Sequence, residues 1–175
     1  MKKLILLAVV AVFSLSNVNA QGELRAGLNV GTTIGDFSDS YGIGFGLDAT
    51  YLWEVSEKFQ AGVATGFQTV AGEELTIEGG TFFGVTIPDT KVEVDNFNYI
   101  PLAASGRFNA SEAFVLGADL GYAIAAGEGD GGFYYAPMVA YNITEEFQAG
   151  ISYRGVSADG GSFSSVNLGV NYRIL

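Results

Sequence analysis

Trp53-Glu54-Val55-Ser56-Glu57-Lys58-Phe59-Gln60-Ala61-Gly62 recurs in outline as Phe108-Asn109-Ala110-Ser111-Glu112-Ala113-Phe114-Val115-Leu116-Gly117, and again as Tyr141-Asn142-Ile143-Thr144-Glu145-Glu146-Phe147-Gln148-Ala149-Gly150. Each copy runs aromatic, a short polar stretch with Ser or Thr followed by Glu, then Phe. Alternating residues flank it on both sides, which marks a tight hairpin turn whose two strands each end in an aromatic residue. Three such turns join six strands. The Phe positions, 59, 114 and 147, are unevenly spaced, so a fixed-period solenoid does not fit. What recurs is one end of a molecule. Short turns at one end and longer loops at the other, with aromatic girdles at the interfaces, is the layout of a transmembrane β-barrel. On this reading Trp53, Phe59, Phe108, Phe114, Tyr141, Phe147 and Tyr172 form the girdle at the turn end.

Working outward from the turns, two-residue periodicity predicts strands over 23–34, 43–53, 59–70, 96–108, 114–125, 133–143, 147–156 and 166–174. Most exceed the ~5–6 residues of an ordinary strand and suit a tilted bilayer crossing of ~9–11. In the second strand Ile43, Phe45, Leu47, Ala49, Tyr51 and Trp53 share one face, opposite Gly44, Gly46, Asp48 and Thr50. The fifth sets Phe114, Leu116, Ala118, Leu120, Tyr122 and Ile124 against Gly117, Asp119, Gly121 and Ala123, and the last repeats the arrangement. Bulky residues are apolar and small ones polar. A soluble barrel or sandwich, the competing reading, places its bulky apolar residues inside and its charges outside. The inverse pattern suits lipid, so the expected fold is all-β: a closed antiparallel up-and-down transmembrane barrel of eight strands, with both termini at the turn end.

Composition narrows the chemistry. The chain is 49% hydrophobic and 15% charged, with 25 glycines, too rich in aromatic residues and too poor in charge for a disordered chain. It has no Cys and no His, which removes disulfides, thiolate and imidazole metal ligands, and the commonest general base. A formal charge of −11 with only eight Lys and Arg residues argues against a nucleic-acid partner. No cofactor and no catalytic residues are expected. Ser56 and Lys58 form a Ser-Lys pair in sequence, but they sit in the repeated turn, where Ser111 and Thr144 occupy the same place without Lys.

Residues 1–20 read Met-Lys-Lys, an apolar stretch over 4–15, and the small-residue ending Val18-Asn19-Ala20. This is the three-part layout of a secretory signal peptide, too short in its apolar part for a spanning helix. Cleavage is expected between Ala20 and Gln21, leaving 21–175 as one barrel domain.

The chain resembles the outer-membrane β-barrel domain family, the small OmpA/OmpX-like eight-stranded barrels, especially those common in Bacteroidetes. The repeated turns carry the resemblance, together with Tyr99-Ile100-Pro101-Leu102 and the closing Gly169-Val170-Asn171-Tyr172-Arg173-Ile174-Leu175. It implies location in the bacterial outer membrane, contact with outer-membrane lipid, and biogenesis through the barrel-assembly machinery. The last strand departs from the commonest form in ending on Leu175 rather than Phe.

With the polar faces inward, Arg25, Arg107, Arg154 and Arg173 share the lumen with Asp48 and Asp119, helped by Gln60, Gln68, Gln148, Asn167 and Asn171. Buried charges require partners, so an Arg–carboxylate network is expected to plug the barrel. Eight strands enclose an interior just wide enough for side chains, leaving no room for a wide pore. The loops hold most of the acid: Asp36 and Asp39 in the first, Glu73, Glu74, Glu78, Asp89, Glu93 and Asp95 in the second, Glu128 and Asp130 in the third, Asp159 in the fourth. The Gly127–Gly132 run reads as a flexible turn rather than a cation site, since it lacks the ligand spacing of a calcium loop. The second loop, 71–95, is expected to extend its hairpin beyond the membrane, and its sheet edge makes it the candidate contact for a protein or surface partner. A closed barrel has no edge that demands a neighbour, so a monomer is expected. Two functions remain open: a structural or surface-interaction barrel, or a narrow channel or binder of a small hydrophobic ligand.

Overall fold

The computed structural model describes residues 22–77, 79–82, 85–127, 131–158 and 161–175. The expected signal segment and its junction at Ala20 and Gln21 lie outside these residues, as do Glu78, Glu128, Asp130 and Asp159 of the loops. Twelve strands form among the described residues: β1 Gly22–Ile34, β2 Tyr41–Ser56, β3 Phe59–Gly72, β4 Glu74–Ile77, β5 Gly80–Phe82, β6 Val85–Ile87, β7 Thr90–Glu93, β8 Phe97–Asn109, β9 Phe114–Ala125, β10 Gly132–Asn142, β11 Phe147–Ala158 and β12 Gly161–Arg173. Eight of them close a barrel in the order β1-β12-β11-β10-β9-β8-β3-β2. Each is antiparallel to its neighbours, and β1 pairs with both β2 and β12, so no barrel edge is left unpaired.

The repeated segments are the turns β2–β3, β8–β9 and β10–β11, and their Ser and Thr residues explain the repetition. Ser111 Oγ accepts from the backbone N–H of Ala113 (3.3 Å) and Phe114 (3.0 Å). Thr144 Oγ1 does the same for Glu146 (3.2 Å) and Phe147 (3.0 Å). A short hydroxyl thus satisfies the N–H groups that the ladder cannot reach at the bend. The first copy bends more tightly: β2 continues to Ser56, opposite Phe59, with a register shift after Glu54.

Register then aligns the girdle. Phe59 faces Phe108, Phe114 faces Tyr141, and Phe147 faces Tyr172. The ring centroids of the last two pairs are 5.2 and 4.9 Å apart. Eight residues further along their strands stand Phe45, Phe67, Tyr122 and Phe133, all outward. At ~3.3 Å per residue and a tilt near 40°, that separation is about 20 Å, close to the ~25 Å apolar band of a membrane barrel. Between the two rings Leu47, Leu116, Leu120, Ile151, Leu168 and Val170 point outward and are exposed. On β11 and β12 the upper positions are Gly155 and Ser164. There Tyr135 covers Gly155 and stacks on Tyr153 (5.9 Å), whose hydroxyl donates to Ser164 Oγ (2.7 Å).

Two expectations need correction. β12 begins at Gly161, five residues before the expected 166, because Ser162, Ser164 and Ser165 pair with Ser157, Gly155 and Arg154 on β11. Serine is a poor strand signal, but a ready-made neighbour supplies the ladder. The rule of small and polar residues inside also fails toward the loop end. There Tyr99 (1% exposed), Tyr134, Phe163, Val70 and Val156 are buried in the interior, and Phe37, Tyr41 and Phe97 pack against them. Beyond the barrel, the second loop continues as two short sheets, β4 with β7 and β5 with β6.

The lipid-facing assignment predicts a position-dependent penalty for charge. Leu168 stands four residues from Tyr172, midway between the girdles, and is 63% exposed. Leu168→Arg is expected to lower stability in lipid vesicles by about 2–4 kcal/mol, against about 0–1 kcal/mol for Leu175→Arg near the interface. Urea-unfolding curves of the vesicle-inserted protein measure both.

Candidate functional site in the barrel interior

The interior is built in three layers along the barrel axis. The outermost, at the loop end, is the aromatic layer. Tyr99 and Phe97 on β8 meet Phe163 on β12 at centroid distances of 6.5 and 5.1 Å, Tyr134 on β10 lies 6.3 Å from Tyr99, and Tyr41 closes on Phe163 edge-on at 6.0 Å. These rings come from strands on different sides of the barrel, so they bridge the lumen rather than line one wall. Packed aromatic contacts exclude water at interior density.

Beneath it lies the charged layer. Arg154 on β11 reaches Asp48 on β2 with a fork of two bonds, Nη1 to Oδ1 at 3.0 Å and Nη2 to Oδ2 at 2.7 Å. Asn29 and Gln68 each donate a further bond to Asp48, at 2.8 and 2.9 Å. The carboxylate therefore accepts four donors, and the Arg154 Nε donates to Ser152 Oγ at 3.3 Å. A second pair joins Arg107 and Asp119 at 2.7 Å, where Ser105 also donates to Asp119 at 2.6 Å and Arg107 donates to the carbonyls of Gly106 and Ala118. Paired, hydrogen-bonded charges of this kind avoid the desolvation penalty that excludes single charges from such an interior.

The third layer is open. A cavity of about 820 Å³ runs from the charged layer to the turn end. Arg25 and Arg173 stand in its wall as direct register partners on β1 and β12. Arg25 Nε bonds Glu23, and Arg173 Nη1 lies 3.8 Å from the other oxygen of the same carboxylate. Gln60, Asn171 and Gln148 line the same space, Gln148 donating to Asn142 Oδ1 at 2.8 Å, whereas Asn167 lies outside it and donates to Ser165 Oγ at 2.9 Å. The structure thus joins Asp48 with Arg154 and Asp119 with Arg107, and places Arg25 and Arg173 apart from both on a carboxylate that sequence reasoning omitted. Glu23 shares the face of Arg25 by parity, two residues earlier, and that spacing was the available signal. Ser56 and Lys58 lie exposed on their turn. Among the described residues no group of three or more carboxylates is placed to hold a metal ion.

The central pair makes a measurable prediction. Asp48→Asn or Arg154→Gln alone leaves its partner buried without a counter-charge and is expected to lower stability by about 3–5 kcal/mol. The double variant should lose less than the sum of the two, by about 0.5–3 kcal/mol. Unfolding free energies in one detergent or vesicle system test this, and strict additivity would contradict direct pairing.

With this geometry in place, comparison with known proteins is specific about the fold. A family model described as the outer membrane protein beta-barrel domain matches residues 5–173. No curated protein sequence matches the chain. Among solved structures, the chain is similar to the attachment invasion locus protein Ail of Yersinia pestis in the crystal, with 19% identity, a TM-score of 0.52, and 89% of this chain and 99% of that one covered. It is similar to Ail in a phospholipid bilayer nanodisc at 16% identity and a TM-score of 0.53, covering 88% and 100%. A de novo designed transmembrane β-barrel aligns at 10% identity and a TM-score of 0.51, over 87% and 95%. At such identities the likeness carries the fold alone.

Proposed function

Because the chain belongs to the outer membrane protein β-barrel family, and so to the bacterial outer membrane, we propose that it is a closed, non-conducting barrel that presents acidic loops to partners at the cell surface. The observation that carries this reading is the pair of stacked interior layers. A solute would have to displace the bridging rings of Tyr99, Tyr134 and Phe163 and then break the Arg154–Asp48 fork. Each layer is held by contacts across the lumen.

The loops support the interaction half of the reading. Asp36, Asp39, Glu73, Glu74, Asp89, Glu93 and Asp95 are all exposed. In the β4–β7 ribbon Leu75 pairs with Val92 and Ile77 with Thr90 on one face, while Glu74 holds Lys91 at 2.6 Å on the other. The ribbon is a two-stranded sheet whose outer edges carry ladder groups, a surface that recognises extended chains by strand addition. The signal segment ending at Ala20 routes the chain for export, the assembly machinery inserts it, and the closed sheet leaves it monomeric.

Planar-bilayer recording tests closure. The mature protein is expected to give no steady unitary current, and Tyr99→Ala combined with Tyr134→Ala should stay closed because the Arg154–Asp48 fork remains, whereas adding Asp48→Ala and Arg154→Ala should give brief, small steps. Steady conductance from the unaltered protein would favour a channel instead.

A further inference from the structure

The cavity at the turn end is more than the space left beneath the plug. Its volume of about 820 Å³ falls within the ~300–1,000 Å³ of small-molecule sites, and the charged layer lines its inner end. Of the four arginines in the lumen, Arg154 turns Nη1 and Nη2 on Asp48 and Nε on Ser152, and Arg107 holds Asp119 and two backbone carbonyls through Nη1. Each of these two has a carboxylate of its own, and Arg25 and Arg173 do not. They stand opposite one another on adjacent strands, and between them they hold one carboxylate, Glu23. Arg25 uses only its Nε, and Arg173 approaches Glu23 at 3.8 Å without a hydrogen bond, so among the described residues both terminal nitrogens of Arg25 and those of Arg173 have no acceptor. Two like charges in direct register repel, and one more carboxylate against their free donors relieves that repulsion.

The mouth of the cavity carries the opposite sign. Glu54, Glu57, Glu112 and Glu145 are exposed around it, with Lys58 as the one basic residue of the rim. A simple anion must cross this negative field to reach the arginines, whereas a molecule with a leading carboxylate and a trailing ammonium is attracted at both positions. An extended tripeptide spans ~10 Å, so it can carry a carboxylate and an ammonium to separate charged groups of one chamber. From these observations we propose that the turn-end chamber binds a small zwitterion, a free amino acid or short peptide, with its carboxylate on Arg25 and Arg173 and its ammonium at the glutamates of the rim. The site opens on the periplasmic side, where the short turns of such barrels lie, and it does not depend on the loops or on the barrel's being closed.

Titration of the full-length mature protein in detergent with trialanine, followed by backbone amide NMR, tests the assignment. Saturable shifts are expected at Arg25 and Arg173. Trialanine amide, without the carboxylate, should bind about tenfold more weakly or worse, N-acetyl-trialanine several-fold more weakly, and inorganic phosphate without saturation over the same range. Arg25→Gln with Arg173→Gln should bring trialanine down to the level of its amide while the heat-dependent gel mobility of the folded barrel is retained. Should that double variant fail to fold, Glu57→Gln with Glu145→Gln at the exposed rim should weaken trialanine and leave N-acetyl-trialanine unchanged. The proposal is overturned by the absence of saturable shifts, by equal affinity for trialanine and its amide, or by phosphate binding as tightly as trialanine.

Discussion

Hydrocarbon offers no hydrogen bonds, and from this one constraint the rest of the structure follows. Every strand N–H and C=O within the bilayer must find its partner in the protein, which only a sheet closed on itself provides. Here the closing contact is the antiparallel ladder between β1 and β12, running from Arg25 opposite Arg173 to Ile34 opposite Ser164. Once that ladder forms, strand parity sorts every residue between lipid and lumen. Leu28, Val30, Leu168 and Val170 face out on the closing pair, while Arg25, Asn29, Asn167 and Arg173 face in.

Parity solves the lipid side and creates the problem of the interior. Polar residues gathered inside a narrow barrel must satisfy one another, because little water reaches them. The chain answers in different ways along one axis. Near the loops it abandons polarity and fills the bore with rings from β8, β10 and β12. In the middle it uses paired charges, with Asp48 accepting from Arg154, Asn29 and Gln68. Toward the turns it leaves an open chamber with charged groups only partly matched. The first two arrangements fill the bore with side chains, and the third leaves it open.

Much of this was legible in the sequence because it depends on local chemistry. The repeated turns declare themselves through Ser111 and Thr144, whose hydroxyls are needed at the bend. Alternation along 43–53 and 114–125 is a property of single strands and survives without knowledge of neighbours. The start of β12 is different. Ser162, Ser164 and Ser165 become strand only because β11 lies beside them, a fact that no local pattern contains. The aromatic layer was partly visible, since Tyr99 and Phe97 share the parity of Arg107, and Tyr134 that of Asn142. What hid it was the expectation that the lumen is polar throughout. The division of the arginines, two each paired with its own aspartate and two sharing Glu23, depends on distances across the barrel and is accessible only in three dimensions.

The central claim is that, outside the aromatic layer at the loop end, bulky residues face lipid and small polar ones face the lumen. The chain has no cysteine, so single cysteines placed in turn at each position of 43–53 provide unambiguous spin-label sites in the vesicle-inserted protein. Accessibility to lipid-dissolved oxygen should oscillate with a period of two, high at 43, 45, 47, 49 and 51 and low at 44, 46, 48 and 50. An oscillation of opposite phase, with the labels at 44, 46 and 48 reporting the apolar solvent, would contradict the inward and outward assignment on which the account rests.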